Sequence, residues 1–129
     1  MAGKRILVVE DDPASVVLMN AILEGAGYRV ETVRDGASAI ASVLREPPEI
    51  VLLDLRLPDV DGLELVHGLR SVPGAGAVRL VLVSAAVMPR SREAALAAGC
   101  DDYVAKPVDR RALLRIVEAL IAGRAAARR

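Results

Sequence analysis

The sequence predicts an α/β fold in which helices cover both faces of an open, doubly wound parallel sheet. Short apolar runs alternate with amphipathic helical patterns along the chain, which is typical of parallel strands joined by crossover helices. Two of these runs, residues 6–9 and 50–53, are aliphatic throughout, as expected for strands buried on both faces. Aromatic residues make up only 2% of the chain, so Val, Leu, Ile and Ala must form the core.

Each predicted strand is a short run bounded by charged or turn-forming residues. The five strands are Arg5–Val9, Arg29–Val33, Ile50–Asp54, Arg79–Ser84 and Asp102–Ala105. The loop before the fourth strand is marked by Pro73, Gly74 and Gly76, which are frequent in turns. Because helices alternate with the strands, the sheet is expected to be parallel.

Helices are predicted between the strands from apolar residues spaced three and four apart. The first helix is predicted from Val16, Met19, Leu23 and Ala26, and the second from Ala37, Ile40, Ala41 and Leu44. The third covers residues 62–69, and the alanine-rich fourth covers residues 89–98. The last helix has the clearest apolar stripe, formed by Leu113, Ile116, Val117, Leu120 and Ile121.

Residues with strong positional preferences mark the ends of these helices. Pro13 fits the first turn of the first helix, and Asp109 is placed to cap the last one. Gly27 follows the first helix, and Pro47 and Pro48 follow the second, as expected beyond a helix C-terminus. These breaks agree with the alternation of strands and helices.

Length and composition predict one intracellular domain. The 129 residues suffice for a single core, expected over residues 4–121, with residues 122–129 as a C-terminal tail. Seventeen basic residues balance 17 acidic ones, so no net field attracts nucleic acid or a membrane surface. The single cysteine excludes an internal disulfide framework, and the sequence shows neither a signal peptide nor a membrane-spanning run. We therefore expect a cytoplasmic protein that binds neither membranes nor nucleic acid directly.

Acidic residues follow two of the buried strands where each strand ends. Glu10, Asp11 and Asp12 follow the first strand, and Asp54 ends the third. Ligands bind beyond the carboxyl ends of such strands, and carboxylates gathered there repel one another unless a divalent cation and a lysine neutralise them. Mg²⁺ fits because it prefers oxygen ligands and retains several waters, so two or three carboxylates suffice. For Asp12 we favour the alternative role of a helix cap.

Two polar residues end the fourth and fifth strands and are predicted to reach the same pocket. The Ser84 hydroxyl can donate to a phosphoryl oxygen, although a serine that merely starts a loop is the simpler interpretation of this residue alone. Lys106 supplies a point charge suited to phosphate, and a surface lysine before a turn proline is an equal alternative. A cis Lys106–Pro107 bond would direct the side chain inward, but cis is the minority state.

Taken together, these motifs resemble the response-regulator receiver domain. They comprise residues 8–13, residues 53–58 with Asp61 and Gly62, Ser84 with Ala85, and Lys106 with Pro107. They occur in the family's order and at its spacing, and the resemblance covers residues 4–121. It implies a five-stranded sheet of flavodoxin-like order 2-1-3-4-5 and a phosphoryl-accepting switch of a two-component or phosphorelay system, rather than an enzyme.

The resemblance also implies a role for each acidic residue. Asp54 matches the phospho-acceptor, and Glu10 and Asp11 match the acid pair that holds Mg²⁺ or Mn²⁺ together with Asp54. Glu10 would act through a water molecule, and the backbone carbonyl of Arg56 would complete the protein ligands. Attack by Asp54 on a negatively charged donor requires their repulsion to be cancelled, which the cation and nearby donors achieve mainly by positioning and electrostatics.

The remaining site residues are implied to assist the transfer and to transmit the signal. Lys106 matches the family's active-site lysine, and Ser84 and Tyr103 match its hydroxyl and aromatic switch positions. The phosphoryl group is expected to draw Ser84 inward, so that Tyr103 enters the vacated space. The fourth helix is rich in alanine and buries little area, so we expect it to shift.

The resemblance implies one partner that donates the phosphoryl group and another that receives the signal. A histidine kinase or a histidine phosphotransfer protein would donate the phosphoryl group. An unidentified output partner would bind the face formed by the fourth helix, fifth strand and fifth helix. Because no output domain is recognisable after residue 121, we expect a direct protein contact or a domain outside this sequence. The chain is expected to be a monomer or to dimerise on phosphorylation.

Two other functions of folds in this class are less compatible with the sequence. A haloacid-dehalogenase-like phosphatase has its nucleophilic Asp after the first strand in an Asp-x-Asp pattern, which residues 11–13 break. A nucleotide- or flavin-binding module needs a glycine- or hydroxyl-rich loop there, where this chain has acids. We interpret His67 as a surface or packing residue, and Cys100 as a buried apolar group.

Overall fold

The computed structural model describes residues 3–85 and 89–123, in which five parallel strands lie between two layers of helices. The strands are β1 (Arg5–Val9), β2 (Arg29–Val33), β3 (Ile50–Asp54), β4 (Arg79–Ser84) and β5 (Asp102–Ala105). The helices are α1 (Pro13–Gly25), α2 (Gly36–Arg45), α3 (Gly62–Arg70), α4 (Pro89–Ala98) and α5 (Arg110–Ile121). The predicted fold class is confirmed, and all five strands have the predicted bounds.

The strand order is β2-β1-β3-β4-β5, and every neighbouring pair is parallel. This order confirms the prediction and places a topological switch point between β1 and β3, where ligands of such sheets bind. Val9 pairs with Leu53. The residues that come next, Glu10 and Asp54, are therefore neighbours at the carboxyl edge of the sheet.

Apolar side chains fill both sides of the sheet. On one side, strand residues such as Leu7 and Leu53 pack with α2, α3 and α4. On the other side, Ile6 and Leu52 pack with α1 and α5. Because side chains alternate between the faces of a strand, the same aliphatic runs supply both layers of the core.

The buried face of α2 differs from the prediction. Of the predicted stripe, Ala37, Ala41 and Leu44 are exposed and Ile40 is only partly buried. The buried residues of α2 are instead Gly36, Ala39, Ser42 and Val43. Ser42 is buried because its hydroxyl accepts a hydrogen bond from Arg5 at 2.7 Å. The buried face of α2 contains a glycine and a serine, which a pattern of apolar residues does not reveal. The predicted stripe of α2 was therefore wrong.

Aspartates cap the N-termini of α1, α2, α3 and α5; they are Asp12, Asp35, Asp61 and Asp109. The Asp12 carboxylate accepts from the Ser15 N–H at 3.1 Å, and Asp109 accepts from the Ala112 N–H at 2.9 Å. Each cap satisfies an N–H that the helix itself leaves without a partner. The predicted capping roles of Asp12 and Asp109 are confirmed.

The last helix ends at Ile121, with Ala122 as its C-cap. Residues 124–129, most of the predicted tail, lie outside the described residues. Among the helices that the structure describes, none combines the length and the apolar composition needed to cross a membrane.

Candidate functional site

A cleft at the carboxyl edge of the sheet gathers several of the predicted site residues. It has a volume of about 350 Å³ and is lined by Asp54, Leu55, Arg56, Ser84, Ala85 and Lys106. These residues meet because β3, β4 and β5 are parallel and end at the same edge. The edge therefore combines a carboxylate, a hydroxyl and an ammonium group beside open space.

The Lys106 side chain connects the ends of three strands. Its Nζ lies 2.8 Å from Oε1 of Glu10 and 3.3 Å from Oδ2 of Asp54. The Lys106–Pro107 peptide bond is cis. Only 18% of the lysine side chain is exposed, so water screens its attraction to the two carboxylates less than at the surface. The alternative of a solvated surface lysine does not describe this residue.

Glu10 is fully buried at the end of β1. Its Oε2 accepts a hydrogen bond from the Asp12 N–H at 3.0 Å. Its Oε1 lies in ion-pair range of Lys106 but accepts no well-formed hydrogen bond from the described residues. Burial raises the pKa of Glu10, Lys106 and the Asp12 N–H oppose this rise, and the neighbouring Asp54 adds to it. The positive charge of Lys106 therefore stabilises this buried carboxylate.

The balance of charge in the cleft is negative when both carboxylates are ionised. Burial would lower the pKa of Lys106, but the carboxylates of Glu10 and Asp54 outweigh it, so that the pKa is raised. The lysine is therefore a permanent cation at neutral pH. One ammonium group facing two carboxylates leaves an excess of negative charge, which Mg²⁺ would neutralise.

The position of Asp54 depends on a close approach of α3 to the end of β3. A Cβ atom at Gly62 would lie 2.5 Å from the carbonyl oxygen of Asp54 and 2.7 Å from Cα of Leu55, which leaves no room for a side chain. The Gly62 N–H donates to the Leu55 carbonyl at 2.7 Å. The Arg56 N–H lies 3.4 Å from Oδ1 of Asp54. Glycine at this position thus allows the loop of residues 55–61 to fold tightly against Asp54.

The two predicted switch residues lie close together. Ser84 is buried at the end of β4, and its carbonyl oxygen accepts a hydrogen bond from the Lys106 N–H at 2.8 Å. The Tyr103 hydroxyl lies 3.4 Å from the same carbonyl oxygen, a long hydrogen bond. The Tyr103 ring packs, partly buried, on the side of the core that faces α2, α3 and α4. A movement of Ser84 would therefore change the immediate surroundings of the Tyr103 side chain.

The donor set fits Mg²⁺ although it lacks a dense carboxylate cluster. Asp11 is exposed beside Glu10. In residues 3–85 and 89–123, no group of three or more His, Cys, Asp or Glu side chains is arranged to hold a metal ion. Mg²⁺ does not require one, because it binds through one or two carboxylates and keeps several waters. The carboxylate oxygens of Glu10 and Asp54 are the hard donors that it prefers.

Asp59, a residue beside the site, was not identified from the sequence as a partner of α2. The Asp59 carboxylate, in the loop after β3, accepts hydrogen bonds from the N–H groups of Gly36 and Ala37 at the start of α2. The local sequence shows an acid after a proline, as in many turns, but nothing in it identifies a helix 22 residues earlier as the partner. Such a long-range cap becomes visible only in the folded chain.

The two residues set aside as non-functional do not line the cleft. His67 is exposed on α3. Cys100 is 3% exposed, and burial raises the pKa of its thiol to about 12, so the reactive thiolate is scarce at neutral pH. The interpretation of Cys100 as a buried apolar group is confirmed.

Comparison with known families identifies the class of this fold and site. Residues 6–118 match the model of the response regulator receiver domain. The chain belongs to the response regulator receiver domain family, whose members are the signalling switches of two-component systems. The match gives no support to the phosphatase or nucleotide-binding alternatives.

Individual relatives agree with this assignment. The "Probable transcriptional regulatory protein TcrX" of Mycobacterium tuberculosis is 42% identical over 103 residues, which are 79% of this chain but 43% of TcrX. This chain thus spans less than half of that relative. An uncharacterized 14.6 kDa protein of Leptolyngbya boryana is 34% identical over 118 residues, covering 92% of this chain and 90% of the relative.

A solved structure resembles the whole domain. It is the receiver domain of the sensor histidine kinase PA1611 from Pseudomonas aeruginosa PAO1, with a magnesium ion coordinated in its active site cleft. The two chains superpose with a TM-score of 0.86 and are 37% identical, over 94% of this chain and 99% of the other.

Proposed function

We propose that this receiver domain accepts a phosphoryl group on Asp54 in a reaction that depends on Mg²⁺ or Mn²⁺. The observation that carries the proposal is the position of Lys106, whose Nζ lies 3.3 Å from Asp54 and 2.8 Å from Glu10 beside an open cleft. The donor would be the phosphohistidine of a histidine kinase or of a histidine phosphotransfer protein. The PA1611 relative, a kinase receiver domain with magnesium in its cleft, supports this choice.

In the proposed reaction, one carboxylate oxygen of Asp54 forms a bond to phosphorus. The bond between phosphorus and the histidine nitrogen of the donor breaks, and its electron pair returns to the imidazole. The carboxylate and the phosphoryl group are both negative and repel each other. Lys106 provides a positive charge beside Asp54, and the Ser84 hydroxyl would donate to a phosphoryl oxygen. Water later hydrolyses the acyl phosphate.

Four residues would hold the metal ion. Asp11 and Asp54 would supply carboxylate oxygens, Arg56 its backbone carbonyl, and Glu10 a contact through water. When bound, the ion would supply positive charge between the carboxylates and the incoming phosphoryl group. The carboxylates of Glu10 and Asp54, which lie around one lysine at the edge of the cleft, support this assignment.

An apolar groove next to the cleft supports a protein donor. The groove has a volume of about 320 Å³ and is lined by Ala14, Ser15, Leu18, Ala85, Lys106, Pro107 and Val108. It shares Ala85 and Lys106 with the cleft. On α1, Leu18 is 42% exposed and its neighbour Val17 is 69% exposed. A donor that covers this groove would bring its phosphohistidine close to Asp54.

The signal would leave through the α4-β5-α5 face. After phosphorylation, Ser84 would move toward the phosphoryl oxygens and Tyr103 would follow, because the two residues already lie within reach of each other. A shift of α4 would then expose a different surface to an output partner. The domain would act as a monomer or dimerise on phosphorylation.

We infer that the chain forms a single receiver domain with its core in residues 4–121. We also infer that it is located in the cytoplasm, where the free thiol of Cys100 would stay reduced.

The proposal can be tested by chemical phosphorylation. The purified protein would be incubated with acetyl phosphate, with and without Mg²⁺, and examined by intact-mass and peptide mass spectrometry. We expect a single acid-stable, base-labile phosphorylation in the peptide that contains Asp54, dependent on the metal. The control Asp54→Asn should remain unmodified. A phosphorylated peptide without Asp54, or full labelling of Asp54→Asn, would overturn the assignment.

A further inference from the structure

The loop that connects β3 to α3, residues 55–61, is attached to the N-terminus of α2 by one side chain. Oδ1 of Asp59 accepts a hydrogen bond from the Gly36 N–H at 2.8 Å, and Oδ2 accepts one from the Ala37 N–H at 3.0 Å. The same loop carries the Arg56 carbonyl proposed as a metal ligand. A single carboxylate therefore links the metal-binding loop to a neighbouring helix.

The contact of Asp59 with the N-terminus of α2 is not the usual N-cap, because α2 already has an N-cap residue of its own. Asp35 is the N-cap residue, and its Oδ1 accepts from the Ser38 N–H at 2.8 Å. Asp59 takes the two N–H groups that Asp35 leaves free, so both carboxylates lie at the positive end of the helix dipole. These two hydrogen bonds lower the pKa of Asp59, which therefore remains charged at neutral pH.

Shape complementarity supports the contact. A Cβ atom at Gly36 would overlap the side chain of Val60, and it would lie 3.4 Å from Oδ1 of Asp59. Gly36 is buried. The start of α2 thus accepts the tip of the loop only because residue 36 has no side chain.

The base of the loop is held separately. The Gly62 N–H donates to the Leu55 carbonyl at 2.7 Å, and Arg56 and Asp61 form an antiparallel bridge. Arg56 belongs to this base, and residues 57 and 58 connect it to the tip that Asp59 attaches to α2. Its carbonyl direction therefore depends on both anchors.

We propose that Asp59 is a positioning residue: by holding the loop against α2, it directs the Arg56 carbonyl toward the metal ion of the acceptor site. This role rests on the proposed function, because it requires that Mg²⁺ binds there. Asp59 itself would touch neither the metal ion nor the phosphoryl group. Its loss would let the loop move while Asp54, Glu10 and Lys106 keep their own contacts.

The experiment compares Asp59→Ala with Asp35→Ala. Both substitutions remove one carboxylate from the N-terminus of the same helix, so they lose a similar charge and a similar cap. Only Asp59 belongs to the metal-binding loop. Asp59→Asn is a third variant, since its single amide oxygen can replace one of the two acceptors. The measurements are the Mg²⁺ dissociation constant by titration calorimetry, the thermal midpoint, and amide hydrogen exchange at Gly62 in the metal-free protein.

We expect Asp59→Ala to raise the Mg²⁺ Kd about tenfold, the lower end of the effect of residues that orient a ligand. Asp59→Asn should raise it less. In the metal-free protein, exchange at the Gly62 amide should become faster in Asp59→Ala, because the loop opens locally more often. Asp35→Ala should lower the thermal midpoint but leave the Kd and the Gly62 exchange unchanged.

Two results would overturn the positioning role. One is an Asp59→Ala variant whose Kd and Gly62 exchange equal those of the wild type. The other is a change of the Kd and of the Gly62 exchange rate in Asp35→Ala that equals the change in Asp59→Ala. Asp59 would then act only as a second cap of α2. If Asp59→Ala does not fold, an unchanged Kd in Asp59→Asn overturns the role. A wild-type protein that binds no Mg²⁺ would instead overturn the proposed function, and this role with it.

Discussion

The Nζ atom of Lys106 lies 3.3 Å from a carboxylate oxygen of Asp54, from which it is separated by 52 residues of sequence. In the sheet, β4 lies between the strands that carry them. The lysine therefore reaches across the end of a whole strand to contact the carboxylate. Asp54 is the last residue of β3, and Lys106 directly follows β5, so the parallel sheet places both residues at the same edge.

Replacement of Lys106 by Met should slow phosphorylation of Asp54 by acetyl phosphate. A charge-assisted contact of this kind is worth about 1.5–3 kcal/mol, which corresponds to roughly 10- to 150-fold in rate. Met keeps most of the apolar stem, so packing losses should be small. The rate of labelling, measured by intact mass at saturating Mg²⁺, tests this expectation.

The matched control is Lys4→Met. Lys4 is paired with Glu49 at 3.8 Å, and both side chains are more than a third exposed. This change removes the same charge far from the cleft and should leave the labelling rate unchanged. Equal rates in the wild type and Lys106→Met would show that the observed contact does not assist the transfer.

The strands, and the position of the polar residues at their ends, could be predicted because the signals for both are local. Each buried strand is a continuous apolar run, and the polar residue that ends it is its neighbour in sequence. Parallel topology then brings Glu10, Asp54, Ser84 and Lys106 to one edge without further information. The same reasoning predicted the caps Asp12 and Asp109, since a cap and its helix are adjacent in sequence.

Contacts between distant polar residues could not be predicted. Ser42 is buried because Arg5 donates to it across 37 residues, and this made the predicted apolar stripe of α2 wrong. Asp59 and Gly36 are likewise partners only in the folded chain. In both cases the partner is far away in sequence, and the local pattern of residues cannot reveal the distant group that satisfies the polar side chain.

Gly62→Ala should impair both stability and phosphorylation. The added Cβ would meet backbone atoms of Asp54 and Leu55 at 2.5 and 2.7 Å, and backbone cannot yield as a flexible side chain can. Overpacking of this kind costs about 1–3 kcal/mol of unfolding free energy. Because the atoms that must move belong to Asp54 and to the loop that follows it, the labelling rate of Asp54 should also fall.

Gly25→Ala is the matched control for this substitution. Gly25 ends α1, and a Cβ atom there would meet nothing within 4 Å. Removing a glycine from the unfolded chain should stabilise the fold by about 0.4–1 kcal/mol. Urea unfolding of both variants provides the comparison. If Gly62→Ala is as stable as Gly25→Ala, the close approach of α3 to β3 is not required.

Stability should decline in acid partly through Glu31. Burial alone would raise the pKa of Glu31, but hydrogen bonds from Arg5, Ser42 and Arg45 outweigh it and keep the pKa below its usual value of 4.5. A depressed pKa means that the unfolded chain binds the proton more tightly. The stabilisation is therefore present above pH 4.5 and is lost as the pH falls through the lower pKa of the folded state.

Glu31→Gln should abolish this part of the pH dependence. Near neutral pH the variant should be less stable than the wild type by about 1–2 kcal/mol, a charged hydrogen-bond value reduced for partial exposure. The difference should shrink as the pH falls below 4.5. Glu49→Gln, which removes an exposed ion pair, should change stability by less than about 0.5 kcal/mol. A stability difference for Glu31→Gln that is constant with pH would contradict the assignment.

Tyrosine fluorescence should report the switch directly, because the protein contains two tyrosines and neither tryptophan nor phenylalanine. Tyr28 is 6% exposed in the α1 and α5 side of the core, so Tyr28→Phe leaves Tyr103 as the single emitter. In this variant, Mg²⁺ and beryllofluoride together should reduce quenching of Tyr103 by acrylamide, since the ring moves into the space that Ser84 vacates. Adding Asp54→Asn should abolish the response, and adding Ser84→Ala should weaken it. An unchanged quenching constant in protein that mass spectrometry shows to carry beryllofluoride would exclude Tyr103 from the switch.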